Sequence, residues 1–242
     1  MNCWKSLLVT SFMLSLALGG VERTHSQAPP TSQVVLAQKG VSYTIPGLRA
    51  ALLNSDPSVR SMAAGVLAED KNVQSIPLIR AALEKEEVER VRVTLAAALA
   101  TLKDWQGSAS LIKTCNDEAI DPSVRLLAAN RLLDLGSDDC LRSVVGILEG
   151  KADPPSRELG MQYLRRTTHV LTSISRRLQH VLIDELNDPV PMNRQYASEC
   201  ISVLGNRNSL VALEEAIHGE KDLPTRTHLE ENLQRTKTRL RL

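Results

Sequence analysis

Asp56-Pro57-Ser58-Val59-Arg60 and its near copy Asp121-Pro122-Ser123-Val124-Arg125 decide how this chain folds. Asp followed by Pro is a helix start. The carboxylate accepts hydrogen bonds from the free N–H groups of a first turn and suits the positive end of the helix dipole. Proline is tolerated at the next position because its missing N–H has no helical partner there. Downstream of each arginine, at offsets of three, four and seven residues, come Ala63, Ala64 and Leu67 in one copy and Ala128, Ala129 and Leu132 in the other. Those offsets trace one stripe of a 3.6-residue helix.

Looser copies extend the pattern along the chain. The arginines at Arg60, Arg92, Arg125, Arg157, Arg194 and Arg226 are separated by 32, 33, 32, 37 and 32 residues. Asp lies four residues earlier at Asp56, Asp121, Asp153 and Asp222, and six earlier at Asp188, each with Pro one or two residues on; Val88 breaks the series before Arg92. A shorter apolar segment precedes each start, as in Ile76, Leu78, Ile79 and Leu83, so each unit is a pair of antiparallel helices. A period near 32 points to stacked units, in which each covers its neighbour's apolar face and none folds well alone.

On these residues the chain resembles HEAT-repeat proteins, close to the short bacterial HEAT-like subtype typified by the phycobilisome-lyase repeats. The resemblance covers roughly residues 45 to 238 and implies an all-α, right-handed α-solenoid of about six HEAT-like antiparallel helix pairs. It further implies a ladder of Asp and Arg between adjacent repeats, formed by Asp56, Asp121, Asp153, Asp188 and Asp222 with the six arginines. Val88 and the lengthened Asp188 to Arg194 stretch depart from that ladder. The second helix of each pair should line a concave groove.

Composition fits thin helix pairs better than one thick core. Aromatic residues make up 2% of the chain against 43% hydrophobic, which leaves Leu, Ala, Val and Ile to fill the interior. The apolar run from Leu7 to Leu18, before Gly19-Gly20, is too short to span a membrane and suits a secretory signal. The expected organisation is a signal at 1–20, a flexible leader at 21–43, the repeat domain at 44–238 and a basic tail at 239–242. Within the leader, Val34, Val35 and Leu36 suit either a short strand or a segment packed on the first helix. Export to the periplasm or medium follows from the signal, with no membrane span after its removal.

Charge argues against nucleic acid, since 29 basic residues face 28 acidic ones and aromatic stacking platforms are scarce. Arg165, Arg166, His169, Arg176, Arg177 and His180 gather around one interhelical turn, either as a solvated surface or as a docking patch for an acidic partner. Cys115, Cys140 and Cys200 follow the signal. Cys115 precedes its arginine by 10 residues and Cys140 precedes its own by 17, an offset that disfavours a bridge, so buried free thiols are expected.

No metal or cofactor is expected, because the five histidines are scattered and none pairs with Cys or His at metal-ligand spacing. No His precedes a Glu as in the di-iron hydroxylases that share this scaffold, and no nucleophile elbow, phosphate loop or Cys-x-x-Cys occurs. The expectation is a monomeric, non-enzymatic scaffold that holds a protein or peptide in its groove. Arg131, Gln162, Arg165, Arg166, Arg176, Arg177, Tyr196 and Glu199 are the candidate contacts. The alternative is a lyase or chaperone-like accessory handling a small ligand there.

Overall fold

The computed structural model describes residues 31–150, 152–167 and 175–242. The described residues form helices and turns with no strand. In chain order the helices are α1 (Ser32–Gln38), α2 (Ile45–Ala51), α3 (Pro57–Glu69), α4 (Ile76–Lys85), α5 (Glu89–Thr101), α6 (Trp105–Asn116) and α7 (Pro122–Asp134). They continue as α8 (Leu141–Glu149), α9 (Pro154–Arg166), α10 (Ser175–Glu185), α11 (Pro191–Leu204), α12 (Arg207–Gly219) and α13 (Leu223–Leu240). From α2 onward they pair as α2/α3, α4/α5, α6/α7, α8/α9, α10/α11 and α12/α13, six units stacked as an α-solenoid.

Four of the five Asp-Pro signals start helices in the expected way. Asp56 accepts from the Ser58 N–H at 2.8 Å, Asp121 from Ser123 at 2.9 Å, Asp153 from Ser156 at 3.1 Å and Asp222 from Thr225 at 3.0 Å. The fifth does not. Helix α11 begins at Pro191 behind Val190, and Asp188 is buried in the turn before it.

The stripe after each arginine is the core. Ala63, Ala64, Leu67, Leu95, Ala96, Leu99, Ala128, Ala129, Leu132, Met161, Leu164, Ala197, Ile201 and Leu229 are all buried, while Glu230 of the final helix is exposed. Residues of α5 belong to both halves of this core, Leu95 and Leu99 facing the N-terminal side and Val93 and Ala96 the C-terminal side. Two helices approach very closely at Gly107 of α6, where a Cβ would sit 2.3 Å from the Ala100 nitrogen of α5. Only glycine lets the two backbones meet there.

The second helices α3, α5, α7, α9, α11 and α13 pack against one another extensively, whereas neighbouring first helices touch much less. A stack whose one row of helices is more tightly packed curves toward that row, so the second helices form its inner side.

Two expectations about the chain's edges are corrected. The segment 32–38, expected as part of a flexible leader, is helix α1, and its Leu36 is fully buried and packs with α3. It covers apolar surface that the first repeat would otherwise leave to water. At the other end no loose basic tail starts at 239. Helix α13 runs to Leu240, and Arg239 donates to the carbonyls of Ser202 at 2.8 Å, Ile201 at 3.2 Å and Gly205 at 2.5 Å, the unsatisfied end of α11. The expected signal at 1–20 lies outside the described residues, among which no helix is long and apolar enough to cross a membrane.

A further correction concerns sulfur. Cys115 and Cys140 form a disulfide with their Cα atoms 6.1 Å apart, and among the described residues Cys200 is a buried free thiol. Counting from the repeat arginines assumed that first helices keep the register of second helices. They do not: α8 is short, and Cys140 lies before its first turn, beside the last turn of α6 that carries Cys115.

Candidate protein-interaction groove

Along the inner row, the helix positions that face away from the core change character. On α3, α5 and α7 a groove of about 410 Å³ is floored by Gly65, Ala68, Thr94, Ala97 and Thr101, with Glu69, Arg131 and Asp134 at its margin. Farther along, on α9, α11 and α13, the same face carries large polar side chains. Arg165 lies 4.9 Å over the Tyr196 ring and 3.3 Å from Glu199, whose other oxygen is 2.9 Å from His228 Nε2. Arg166 joins the two zones through Asp134 at 2.5 Å, and Arg131 approaches the same carboxylate at 3.6 Å.

Six of the eight candidate contacts therefore lie on inner-row helices, and five of these fall into two sets: Arg131 and Arg166 meet at Asp134, and Arg165, Tyr196 and Glu199 gather with His228. Gln162 is on α9 but bonds within its own helix, to Glu158 at 3.1 Å. Arg176 and Arg177 are elsewhere. They begin the first helix α10, where Arg176 is exposed and Arg177 is held by Glu149 of α8. That pairing keeps the Glu149 carboxyl below its usual range, chiefly through the guanidinium hydrogen bonds. The basic cluster read from the sequence is thus divided between two rows and largely neutralised by Glu199, Asp134 and Glu149. His169 lies outside the described residues, and His180 is exposed.

The ladder also differs from its expected form. Each repeat arginine that bridges to the next repeat does so through an acid six residues before that repeat's arginine. Arg60 grips Glu86 with Nε and Nη2, both at 2.7 Å, and donates from Nη1 to the carbonyls of Asn54 and Ser55 in its own turn. Arg194 repeats the arrangement with Glu220, at 2.6 and 2.9 Å, and with the Asp188 and Pro189 carbonyls. In both acids the carboxyl also accepts an N–H two residues ahead, and the arginine hydrogen bonds hold it below the usual carboxylate range.

Arg157 meets two buried acids, Glu185 Oε1 at 3.1 Å and Asp188 Oδ2 at 2.7 Å, the latter at ion-pair distance without hydrogen-bond alignment. Burial pushes the Glu185 carboxyl up, and neighbouring Asp188 adds to the rise against the pull of Arg157. Asp56, Asp121, Asp153 and Asp222 are helix caps and take no part in bridging to the repeat arginines. Where the acid is replaced, by Ala119 and Lys151, the bridge fails: Arg92 is exposed, and Arg125 donates instead to the Cys115 carbonyl at 3.1 Å. Arg226, in the last repeat, pairs within its own helix, with Glu230. The sequence signal for the true ladder was the acid at minus six, present as Glu86, Asp188 and Glu220.

Set beside known families, residues 35–100 match the family of HEAT repeats. This part of the chain carries HEAT repeats. The matched segment spans α2 to α5, and the helix pairs that follow repeat its architecture to the C-terminus. A search of curated proteins finds no match. HEAT repeats generally serve as protein-interaction scaffolds, and the inner row of this stack offers the extended face that such use requires.

Proposed function

We propose that this HEAT-repeat chain is an exported, monomeric scaffold that holds a protein or peptide along its inner row and performs no catalysis itself. One observation carries the reading: a continuous face with a small-residue floor on α3, α5 and α7, running into the Arg165, Tyr196, Glu199 and His228 cluster. Small side chains admit a partner's backbone or apolar groups. The aromatic and guanidinium groups beyond supply the anchors that interfaces concentrate. Their charges are mutually paired, which favours a partner of mixed charge over a uniformly acidic one. Export draws support from the short apolar N-terminal run and from the disulfide, a bond that persists in oxidising compartments.

The test is affinity capture from the producing organism's envelope fraction with wild-type protein, an Ala97→Arg variant that obstructs the floor, and a Tyr196→Ala variant that removes the anchor. A specific partner should be retained by wild-type and lost, at least tenfold, by both variants. Equal retention by all three would dismiss the groove. The intact mass of the mature protein should correspond to removal of residues up to about Gly19; a mass that starts at Met1 would dismiss cleavage.

A further inference from the structure

We infer that the seam between the third and fourth repeats is a carboxylate-binding site, filled by an acid from outside the chain. Clefts of about 450 and 520 Å³ lie at corresponding places in the first and fifth seams, between the turn of one repeat and that of the next. In each, the repeat arginine, Arg60 or Arg194, holds the carboxylate of Glu86 or Glu220 with two parallel hydrogen bonds. A guanidinium fork matches a carboxylate in this way and no other side chain does it so well.

The third seam has the same cleft, enlarged to about 670 Å³, and the same arginine, Arg125, but no acid. Lys151 stands at the sequence position of Glu86 and Glu220. Arg125 uses Nε on the Cys115 carbonyl, and among the described residues no carboxylate meets its two terminal nitrogens. Arg125, Arg142 and Arg177 line this cleft with Glu118, and Arg177 is held by Glu149, so the carboxylate that faces the repeat arginine in the first and fifth seams has no counterpart among the lining residues at Arg125.

The site is also held in shape. The disulfide ties the end of α6 to the start of α8, so it fixes the carbonyl that orients Arg125 and the helix that carries Arg142 and Ser143. Ser143 in turn is hydrogen-bonded to Asn116 across the cleft. An incoming carboxylate would occupy the place that Glu86 and Glu220 fill in their own seams. Arg92 shows that a missing acid alone is insufficient, since Ala119 leaves that arginine exposed on the surface.

A free small acid and a carboxylate carried by a peptide present the same group, and calorimetry with the full-length oxidised protein separates them. The probes are glutarate, an N-acetylated tetrapeptide of Gly and Ala with a free C-terminus, and its C-terminal amide. Binding of either carboxylate, with none by the amide, is the expected result. Arg125→Gln should weaken it at least tenfold, and Arg92→Gln should leave it unchanged. Lys151→Glu supplies the acid within the chain. It should abolish binding and raise the melting temperature, an outcome that loss of folding cannot imitate. Glutarate binding alone identifies a small acid as occupant, and binding of the peptide identifies a chain terminus. No binding by wild-type protein, or equal binding by the Arg125→Gln and Lys151→Glu variants, overturns the inference.

Discussion

In the first and fifth seams of the stack, Arg60 and Arg194 grasp the carboxylates of Glu86 and Glu220 in the following repeat, while in the third seam the equivalent Arg125 reaches only a backbone carbonyl and a disulfide joins the two repeats. The comparison shows that one helical address can connect neighbouring repeats by different chemistry. Apolar burial holds every layer together. The bond across the turn is what varies, and with it the conditions that each seam withstands: acid threatens the ion pairs, and reductant threatens the bridge.

The largest effect is expected where two helices approach very closely. Gly107→Ala would drive a methyl group into the backbone of α5, and equilibrium denaturation should show a loss of about 3 kcal/mol or more. A loss below about 1 kcal/mol would mean that α5 and α6 are not pressed together as described.

Next comes the middle seam's staple. Cys115 and Cys140 close a loop with a sequence separation of 25, and replacing both with Ser should cost about 3 kcal/mol. Reducing agent should lower the melting temperature of the wild-type protein and leave that of the double variant unaltered. Identical sensitivity in the two proteins would refute the bridge.

Breaking an end seam should be somewhat milder. Glu86→Gln removes a carboxylate whose side chain is only 2% exposed and deprives Arg60 of its partner, but the guanidinium keeps the Asn54 and Ser55 carbonyls and some contact with water. A loss of about 2 kcal/mol is expected by denaturation, insensitive to reductant. The contrast with the cysteine variants sharpens the distinction between ends and middle.

The pH dependence gives the smallest and most specific signals. Glu86 and Glu220 are held below the ordinary value of 4.5, so the unfolded chain binds more protons than the folded one as pH falls through that region. Their stabilisation is full above 4.5 and is lost as pH drops toward their lowered values. Glu185 has the opposite sign: its raised carboxyl contributes below 4.5, and that contribution disappears as pH rises through the folded-state value. Urea denaturation across pH should therefore show a flatter acid limb for Glu86→Gln with Glu220→Gln. Glu185→Gln should remove a decline on the less acidic side. Unchanged profiles would sever the link between these carboxyls and the seams.

Much of this was legible beforehand. The Asp-Pro starts at Asp56, Asp121, Asp153 and Asp222, the Ala and Leu stripes and the six helix pairs are local or periodic properties, and hydrogen-bonding and side-chain spacing fix them within a few turns. Asp188 misled because an Asp-Pro pair satisfies a turn as readily as it caps a helix. Helix α1 was missed because seven residues are too few to show a period. Of the candidate contacts, Arg165, Tyr196 and Glu199 come together with His228 of another repeat, while Arg131 and Arg166 meet separately at Asp134.

By itself, then, the sequence determined the repeating unit, its helices and the stripe along which units meet, because these depend on residues within about one repeat of each other. Tertiary structure alone decided which acid each arginine holds, that Cys115 meets Cys140, and that the basic residues near 165 and 177 belong to different rows. Those outcomes depend on how far one helix slides along another when side chains interlock, a displacement to which spacing along the chain is blind.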